Sequence, residues 1–156
     1  MNAEILNIWR LLYEFDVHYL TIGGFAVNYY GYNRSTGDID LLIEDSLENR
    51  KKLRKMLAAA DIGDFETIET IVFLPGWTDF TLNTGLRLDI MTNIKGLENI
   101  SFSTLYENAE TVDIQTISIK FIDFNHLMIA KKACNRPKDQ DDVAHLEKIQ
   151  QWNNKK

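Results

Sequence analysis

The segment that decides the fold of this 156-residue chain is Thr21–Glu44, TIGGFAVNYYGYNRSTGDIDLLIE. It begins with a glycine pair, Gly23 and Gly24, and ends with a run over Asp38–Ile43 that has the composition of a strand. The first and third residues of that strand are aspartates. Since side chains on a strand alternate between its two faces, both aspartates point the same way.

The aspartate pair, Asp38 and Asp40, indicates a bound cation. Two carboxylates held close together repel each other unless a positive charge lies between them. The apolar continuation Leu41–Ile43 implies a buried strand, so the carboxylates lie at the rim of the core, where an unpaired charge is costly. Hard divalent cations such as Mg²⁺ take oxygen ligands from one or two carboxylates plus substrate phosphates. We therefore expect a magnesium site at the start of this strand.

The glycine pair lies at a predicted junction between a short strand, Tyr19–Ile22, and a short apolar helix, Phe25–Tyr30. Glycine lets backbone N–H groups approach an anion closely, and a helix N-terminus adds positive partial charge. Phosphate is the natural ligand of such a turn. A tight turn without any ligand also explains two glycines, and the pair alone does not decide between these interpretations.

A third carboxylate, Asp89, lies in the apolar run Arg87–Met91, which is typical of a central strand. A charged residue flanked by leucine and isoleucine needs a partner. Arg87 lies on the same strand face and is one candidate partner. The alternative is that Asp89 completes a set of three carboxylates around metal.

The length and composition predict one domain over residues 1–156, with 45% hydrophobic residues to form its core. The single cysteine, Cys134, excludes an internal disulfide and fits a reducing compartment. The first ten residues lack the pattern of a secretory signal, and no apolar run is long enough to span a membrane. We expect a cytoplasmic protein without membrane contacts.

The net charge of −6 bears on the partners. Proteins that bind long DNA or RNA usually carry a basic surface, which the composition of this chain does not provide. The acidic balance favours a cationic or neutral acceptor, or a protein partner.

The other segments predict an α+β fold in which a mixed sheet is flanked by helices and followed by a short C-terminal helix pair from about residue 123. The predicted helices are Asn2–Phe15, a helix capped by Asp45 or Ser46 and ending near Ala60, Ser103–Asn108, a helix capped by Asp123 and ending near Cys134, and Asp139–Trp152. The predicted strands are Thr67–Leu74, a hairpin of Thr78–Leu82 with Leu86–Met91, Thr111–Ile114 and Ile117–Ile122. The helix ending near Ala60 carries five basic residues that form either a solvated face or a docking patch: Arg50, Lys51, Lys52, Arg54 and Lys55.

Taken together, these motifs resemble the nucleotidyltransferase superfamily, whose catalytic domain is of the polymerase-β type. The resemblance covers the glycine pair through Asp38-Ile39-Asp40, the strand with Asp89, and a C-terminal part consisting of Leu127–Lys131, Arg136–Asp139 and Asp142. It is strongest to the small bacterial members, which include the minimal type, the abortive-infection toxins of toxin–antitoxin systems, and the enzymes that adenylylate aminoglycoside and lincosamide antibiotics.

The resemblance implies a Mg²⁺-dependent transfer of a nucleoside monophosphate from ATP or another NTP to a hydroxyl group on a small molecule, a protein or a tRNA. Two Mg²⁺ ions would assist in-line attack on the α-phosphate. The implied metal ligands and catalytic residues are Asp38, Asp40 and Asp89. The implied nucleotide-binding residues are Gly23, Gly24, Arg34, Thr36 and Lys131, with Arg136 and Lys138 as weaker candidates for neutralising the phosphates.

The chain departs from the resemblance in two respects. Many members carry Gly-Ser where this chain carries Gly23-Gly24, so one hydroxyl contact to phosphate is missing. Larger members also have a second helical domain that binds the acceptor, and here the chain ends soon after Asp123. The acceptor would be held by loops near Trp77 and Tyr106, by a second subunit of a homodimer, or by another protein. An alternative function is that of an antitoxin-like binding module that pairs with, and adenylylates, a partner protein.

Overall fold

A six-stranded mixed sheet forms the centre of the fold. The structure, a computed structural model, describes residues 2–156. The strands are β1 (Tyr19–Ile22), β2 (Asp38–Ile43), β3 (Asp79–Thr81), β4 (Arg87–Met91), β5 (Glu110–Ile114) and β6 (Ile117–Phe121), in the order β3-β4-β2-β1-β6-β5. The pairs β2–β4 and β1–β6 are parallel, and the others are antiparallel.

The helices cover this sheet and follow it at the C-terminus. They are α1 (Ala3–Glu14), α2 (Gly23–Tyr29), α3 (Leu47–Ala59), α4 (Phe102–Glu107), α5 (Phe124–Cys134) and α6 (Pro137–Asn153). The predicted caps Ser46 and Asp123 each accept a backbone N–H in the first turn of their helix. Pro137, which ends the preceding helical pattern, is the first residue of α6, where a missing N–H costs nothing.

The central strands are apolar because they are covered on both faces. Leu20, Ile39, Leu41, Leu88 and Ile90 are completely buried. Helix α1 contributes a predicted apolar stripe that includes Trp9, whose indole N–H donates to the buried hydroxyl of Thr21 at 3.0 Å. The predicted α+β class, the mixed sheet and the C-terminal helix pair are confirmed.

The register of three strands positions the predicted site. In the parallel pair β2–β4, Asp40 lies directly opposite Asp89. In the antiparallel pair β1–β2, Asp40 lies opposite Ile22, the residue that precedes the glycine pair. The glycine turn and the carboxylates of β2 and β4 therefore meet at one place on the sheet.

The predicted strand Thr67–Leu74 is wrong. Glu66–Glu69 forms a 3₁₀ helix, and the following residues are irregular. The apolar pattern misled because Ile68 and Phe73 are buried although they lie outside the sheet. The guanidinium of Arg50 donates to the carbonyl oxygens of Ile68 and Ile71, so these acceptors are satisfied by a side chain instead of a neighbouring strand.

The basic residues of α3 are largely used within the chain. Arg50 is buried and also pairs with Asp45. Arg54 contacts two carboxylates, and Lys52 pairs with Asp16 at 2.7 Å. Most of the predicted positive face is therefore neither a free docking patch nor a simple solvated surface.

None of the helices within residues 2–156 is long and apolar enough to cross a membrane.

Candidate active site

The turn between β1 and α2 brings the backbone of Gly23 against the Asp40 carboxylate. Gly23 has φ +63°, a left-handed conformation that glycine adopts without strain. A Cβ atom on Gly23 would lie 2.0 Å from Oδ2 of Asp40. Only glycine leaves room for the carboxylate at this position, so the glycine turn and the acidic strand form one structural unit.

Asp40 lies in an electrostatically unfavourable position. Its own burial and the nearby charges of Asp89 and Asp38 raise the pKa of Asp40 to about 6. Lys138 and Lys131 lower the pKa of Asp40 but do not compensate. A carboxylate that the protein leaves under-compensated at the end of a strand is typical of a site that takes up a cation.

Asp89 is held by one hydrogen bond and keeps one oxygen free. Its Oδ2 accepts the backbone N–H of Gly76 at 2.8 Å. Its Oδ1 is buried and has no hydrogen-bond partner among the described residues. Burial raises the pKa of Asp89, and the Gly76 N–H offsets part of that effect. A buried, unpartnered carboxylate oxygen is costly, so this atom is a strong candidate ligand for a cation or a proton.

Arg87 does not pair with Asp89. Its Nε lies 3.1 Å from Oδ2 of Asp79 and 3.6 Å from Oδ1 of Asp38. The first interpretation of the sequence, an internal Arg87–Asp89 pair, is therefore not what the structure shows. Asp38 is half-buried and shares the Arg87 guanidinium with Asp79.

The donor set fits a hard divalent cation, since it consists only of carboxylate oxygens. In the arrangement seen here, no three acidic, histidine or cysteine side chains within residues 2–156 are grouped closely enough to hold one ion. Two of the carboxylates have other partners: Asp38 contacts the guanidinium of Arg87, and Asp89 accepts the backbone N–H of Gly76. Asp40 and Asp89 lie opposite each other in the sheet, so a shared ion requires the three carboxylates to move closer together.

A pocket of about 440 Å³ opens at this point. It is lined by most of the residues that the sequence singled out: Gly23, Gly24, Asp38, Asp40, Asp89, Lys131, Arg136 and Lys138. One side of the pocket is acidic and built from strand ends, and the other is basic and built from α5 and α6. A triphosphate with its cation needs both kinds of wall.

Arg34 and Thr36 lie behind the glycine turn and do not line the pocket. A Cβ on Gly24 would lie 2.4 Å from Oγ1 of Thr36 and 3.3 Å from Nη1 of Arg34. Asn28 fixes the Arg34 backbone through two hydrogen bonds. These two residues therefore contact the turn from outside, and their predicted contact with phosphate stays a prediction.

The ammonium of Lys131 is engaged in a buried ion-pair network. It lies 2.9 Å from Asp142 and 3.2 Å from Asp139, both completely buried. Asp142 also accepts two hydrogen bonds from Arg34, at 2.6 and 2.9 Å, and Asp139 pairs with Arg136 at 2.6 Å. The network joins α5, α6 and the segment before β2. Its three cations and two carboxylates leave one net positive charge beside the pocket.

Two pocket residues were missed at the sequence level. Gly76 was assigned only to a chain break, although its N–H holds Asp89. Lys95 lines the pocket from a turn after β4 and belongs to no motif. Neither has a local signal, because both reach the site only through tertiary packing.

The sheet, the glycine turn and the acidic strand ends define a nucleotidyltransferase fold. Residues 2–156 match the sequence model of the family described as Nucleotidyl transferase of unknown function (DUF2204), and the chain belongs to this family. It is a nucleotidyltransferase, as the sequence motifs predicted.

Two solved structures share the fold. One is the lincosamide antibiotic adenylyltransferase LnuA in its lincomycin-bound form, with 17% identity, a TM-score of 0.62, and coverage of 96% of this chain and 98% of that chain. The other is a candidate nucleotidyltransferase from Thermotoga maritima, with 15% identity, a TM-score of 0.57, and coverage of 100% and 96%. A comparison with curated proteins finds no match.

Proposed function

We propose that the protein transfers a nucleoside monophosphate from an NTP to a hydroxyl acceptor, with Mg²⁺ bound by Asp38, Asp40 and Asp89. The observation that carries this proposal is the register of β2 and β4, which sets Asp40 beside Asp89 next to the glycine turn. Neighbouring strands lie about 4.8 Å apart, so carboxylates that stand opposite each other on two strands can turn toward one shared cation.

The reaction breaks the bond between the α-phosphorus and its bridging oxygen, forms a bond from the acceptor oxygen to that phosphorus, and releases pyrophosphate. Bound Mg²⁺ would neutralise the triphosphate and stabilise the leaving group. Gly23 and Gly24 bind the β- and γ-phosphates through their backbone, where the missing side chains allow close approach. Asp89 Oδ1, buried and unpartnered, receives the proton of the acceptor hydroxyl.

The test is a transfer assay with α-labelled ATP, GTP, CTP and UTP, Mg²⁺, and a panel of hydroxyl acceptors. The panel begins with lincosamides and aminoglycosides, because the similar LnuA structure is described as a lincosamide adenylyltransferase. It then includes tRNA and total cell protein, to cover the other acceptor classes. The position of the label identifies the acceptor.

Substitution of the carboxylates distinguishes this function from a pure binding module. Asp40→Asn and Asp89→Asn are expected to lower the rate of label transfer more than about a hundredfold, since each removes a charged ligand from the reacting centre. Asp113→Asn, on the edge strand β5, is the matched control and is expected to keep the wild-type rate. Wild-type transfer by Asp40→Asn or Asp89→Asn would refute the proposal.

A further inference from the structure

We propose that Lys95 and Lys138 are the side chains that bind the polyphosphate of the nucleotide, and that Lys131 is a positioning residue behind them. This inference rests on the proposed function and names the cations of that site. It also changes the expectation from family resemblance, which places Lys131 itself on the phosphates.

The first argument is an inventory of the cations that line the pocket: Arg87, Lys95, Lys131, Arg136 and Lys138. Arg87 is paired with Asp79, Lys131 with Asp139 and Asp142, and Arg136 with Asp139. Lys95 and Lys138 are exposed and form no ion pair with any described residue. Among the cations that line the pocket, these two are the ones whose charge no carboxylate already neutralises.

The second argument concerns the burial of Lys131. Its carboxylate partners Asp139 and Asp142 are completely buried, and moving the ammonium to a phosphate would leave them under-compensated. Breaking a buried pair in this way costs far more than recruiting an exposed lysine. Lys131 therefore stabilises the basic wall of the pocket from within.

The third argument is that the backbone of Lys95 is held in place while its ammonium is free. The turn after β4 has Gly96 at φ +93°, and a Cβ on Gly96 would lie 2.6 Å from the Cβ of Ala133 in α5. Leu97 is buried, and its N–H donates to the carbonyl of Ile94. The turn is thus seated on the helix that carries Lys131, with Lys95 at the pocket.

Lys138 is held in place by its sequence neighbour. It lies in the first turn of α6, beside the buried Asp139, whose carboxylate accepts the N–H of Arg136 in a capping box. Lys138 lines the same pocket as the three carboxylates of β2 and β4. An exposed lysine in this pocket is suited to bind a phosphate that lies between the two walls.

The test compares the binding of NTP and of NMP, with Mg²⁺ and without an acceptor, by isothermal titration calorimetry. The donor is whichever of ATP, GTP, CTP and UTP the wild type binds. Lys95→Ala and Lys138→Ala are expected to weaken NTP binding about tenfold each, on the scale of one charge-assisted contact, and to leave NMP binding unchanged. Lys95→Arg is expected to retain most of the affinity for NTP.

The control is Lys51→Ala, which removes an exposed lysine of α3 that lies outside the pocket and is expected to bind NTP as the wild type does. Thermal unfolding is expected to be unchanged in all four variants, since these lysines are exposed. If both Lys95→Ala and Lys138→Ala bind NTP with wild-type affinity, this inference is overturned and the proposed function is not affected. An equal loss of NTP and NMP affinity also overturns it. A wild-type protein that binds no NTP overturns the proposed function as well.

Discussion

Gly23 and Asp40 show how a single missing side chain shapes the site. The carboxylate of Asp40 occupies the space that a Cβ on Gly23 would fill. Sequence reasoning placed the glycines and the aspartates in one site from strand period and turn chemistry alone. It assigned the glycines to phosphate binding only, because the contact between Gly23 and Asp40 depends on the antiparallel pairing of β1 with β2.

Gly23→Ala is expected to lower activity about a hundredfold, because the new methyl group displaces the Asp40 carboxylate from the reacting centre. The variant is also expected to lose about 1–2 kcal/mol of unfolding free energy through left-handed backbone strain. Urea denaturation and the label-transfer assay measure the two effects. Gly37→Ala is the matched control, because no atom lies within 4 Å of the added Cβ. Equal activity in the two variants would contradict this account.

At the scale of elements, α6 was predicted as a helix, but its function in the fold was not. Asp139 and Asp142 are three residues apart and share one helix face, which a sequence pattern assigns to solvent. In the structure both are completely buried against Lys131 and Arg34. This charged face of α6 is therefore packed inside the protein, as an apolar face would be. Its burial could not be predicted from α6 alone, because the cations that neutralise it come from other segments.

Asp142→Asn is expected to destabilise the fold by about 3–5 kcal/mol at neutral pH, because it leaves the Arg34 and Lys131 charges under-compensated in a buried setting. Urea denaturation of the variant measures this loss. Asp141→Asn, one residue earlier and exposed, is the control and is expected to cost less than about 1 kcal/mol. Similar losses in both variants would show that the network contributes little.

The same network predicts how stability depends on pH. Hydrogen bonds and the charges of Arg34 and Lys131 lower the pKa of Asp142 despite its burial, and Arg136 and Lys131 do the same for Asp139. The folded state therefore binds fewer protons than the unfolded state. The stabilisation is complete above the unfolded pKa of about 3.9 and is lost as pH falls through the lower folded values. Asp142→Asn is expected to lose less stability than the wild type over that acid range.

The segment after α3 shows where prediction from local pattern fails. Thr67–Leu74 has the apolar content of a strand, but Arg50 satisfies its carbonyls and Phe73 packs against the same guanidinium, 4.7 Å from the ring centre. The hairpin β3–β4, the caps of α3 and α5 and the helix α1 were predictable because their signals are local. Contacts between distant segments carry no such signal.

At the scale of the whole molecule, the fold concentrates opposite charges around one pocket in a chain of net charge −6. The carboxylates come from the first half of β2 and the middle of β4, and the basic wall comes from α5, α6 and the turn after β4. The order of motifs along the chain was enough to predict the class of fold and the acidic half. The roles proposed for the individual lysines required the structure, because they depend on which lysines are already paired with carboxylates.

The measurement that tests the central claim most directly is the binding of Mn²⁺, in place of Mg²⁺, followed by electron paramagnetic resonance in the presence of NTP. The wild-type protein with NTP is expected to bind more Mn²⁺ than the same concentration of NTP without protein. The reason is that Asp38, Asp40 and Asp89 add oxygen ligands. Asp40→Asn combined with Asp89→Asn is expected to remove that excess, while Asp113→Asn keeps it. An unchanged excess in the double variant, or none in the wild type, would contradict the account.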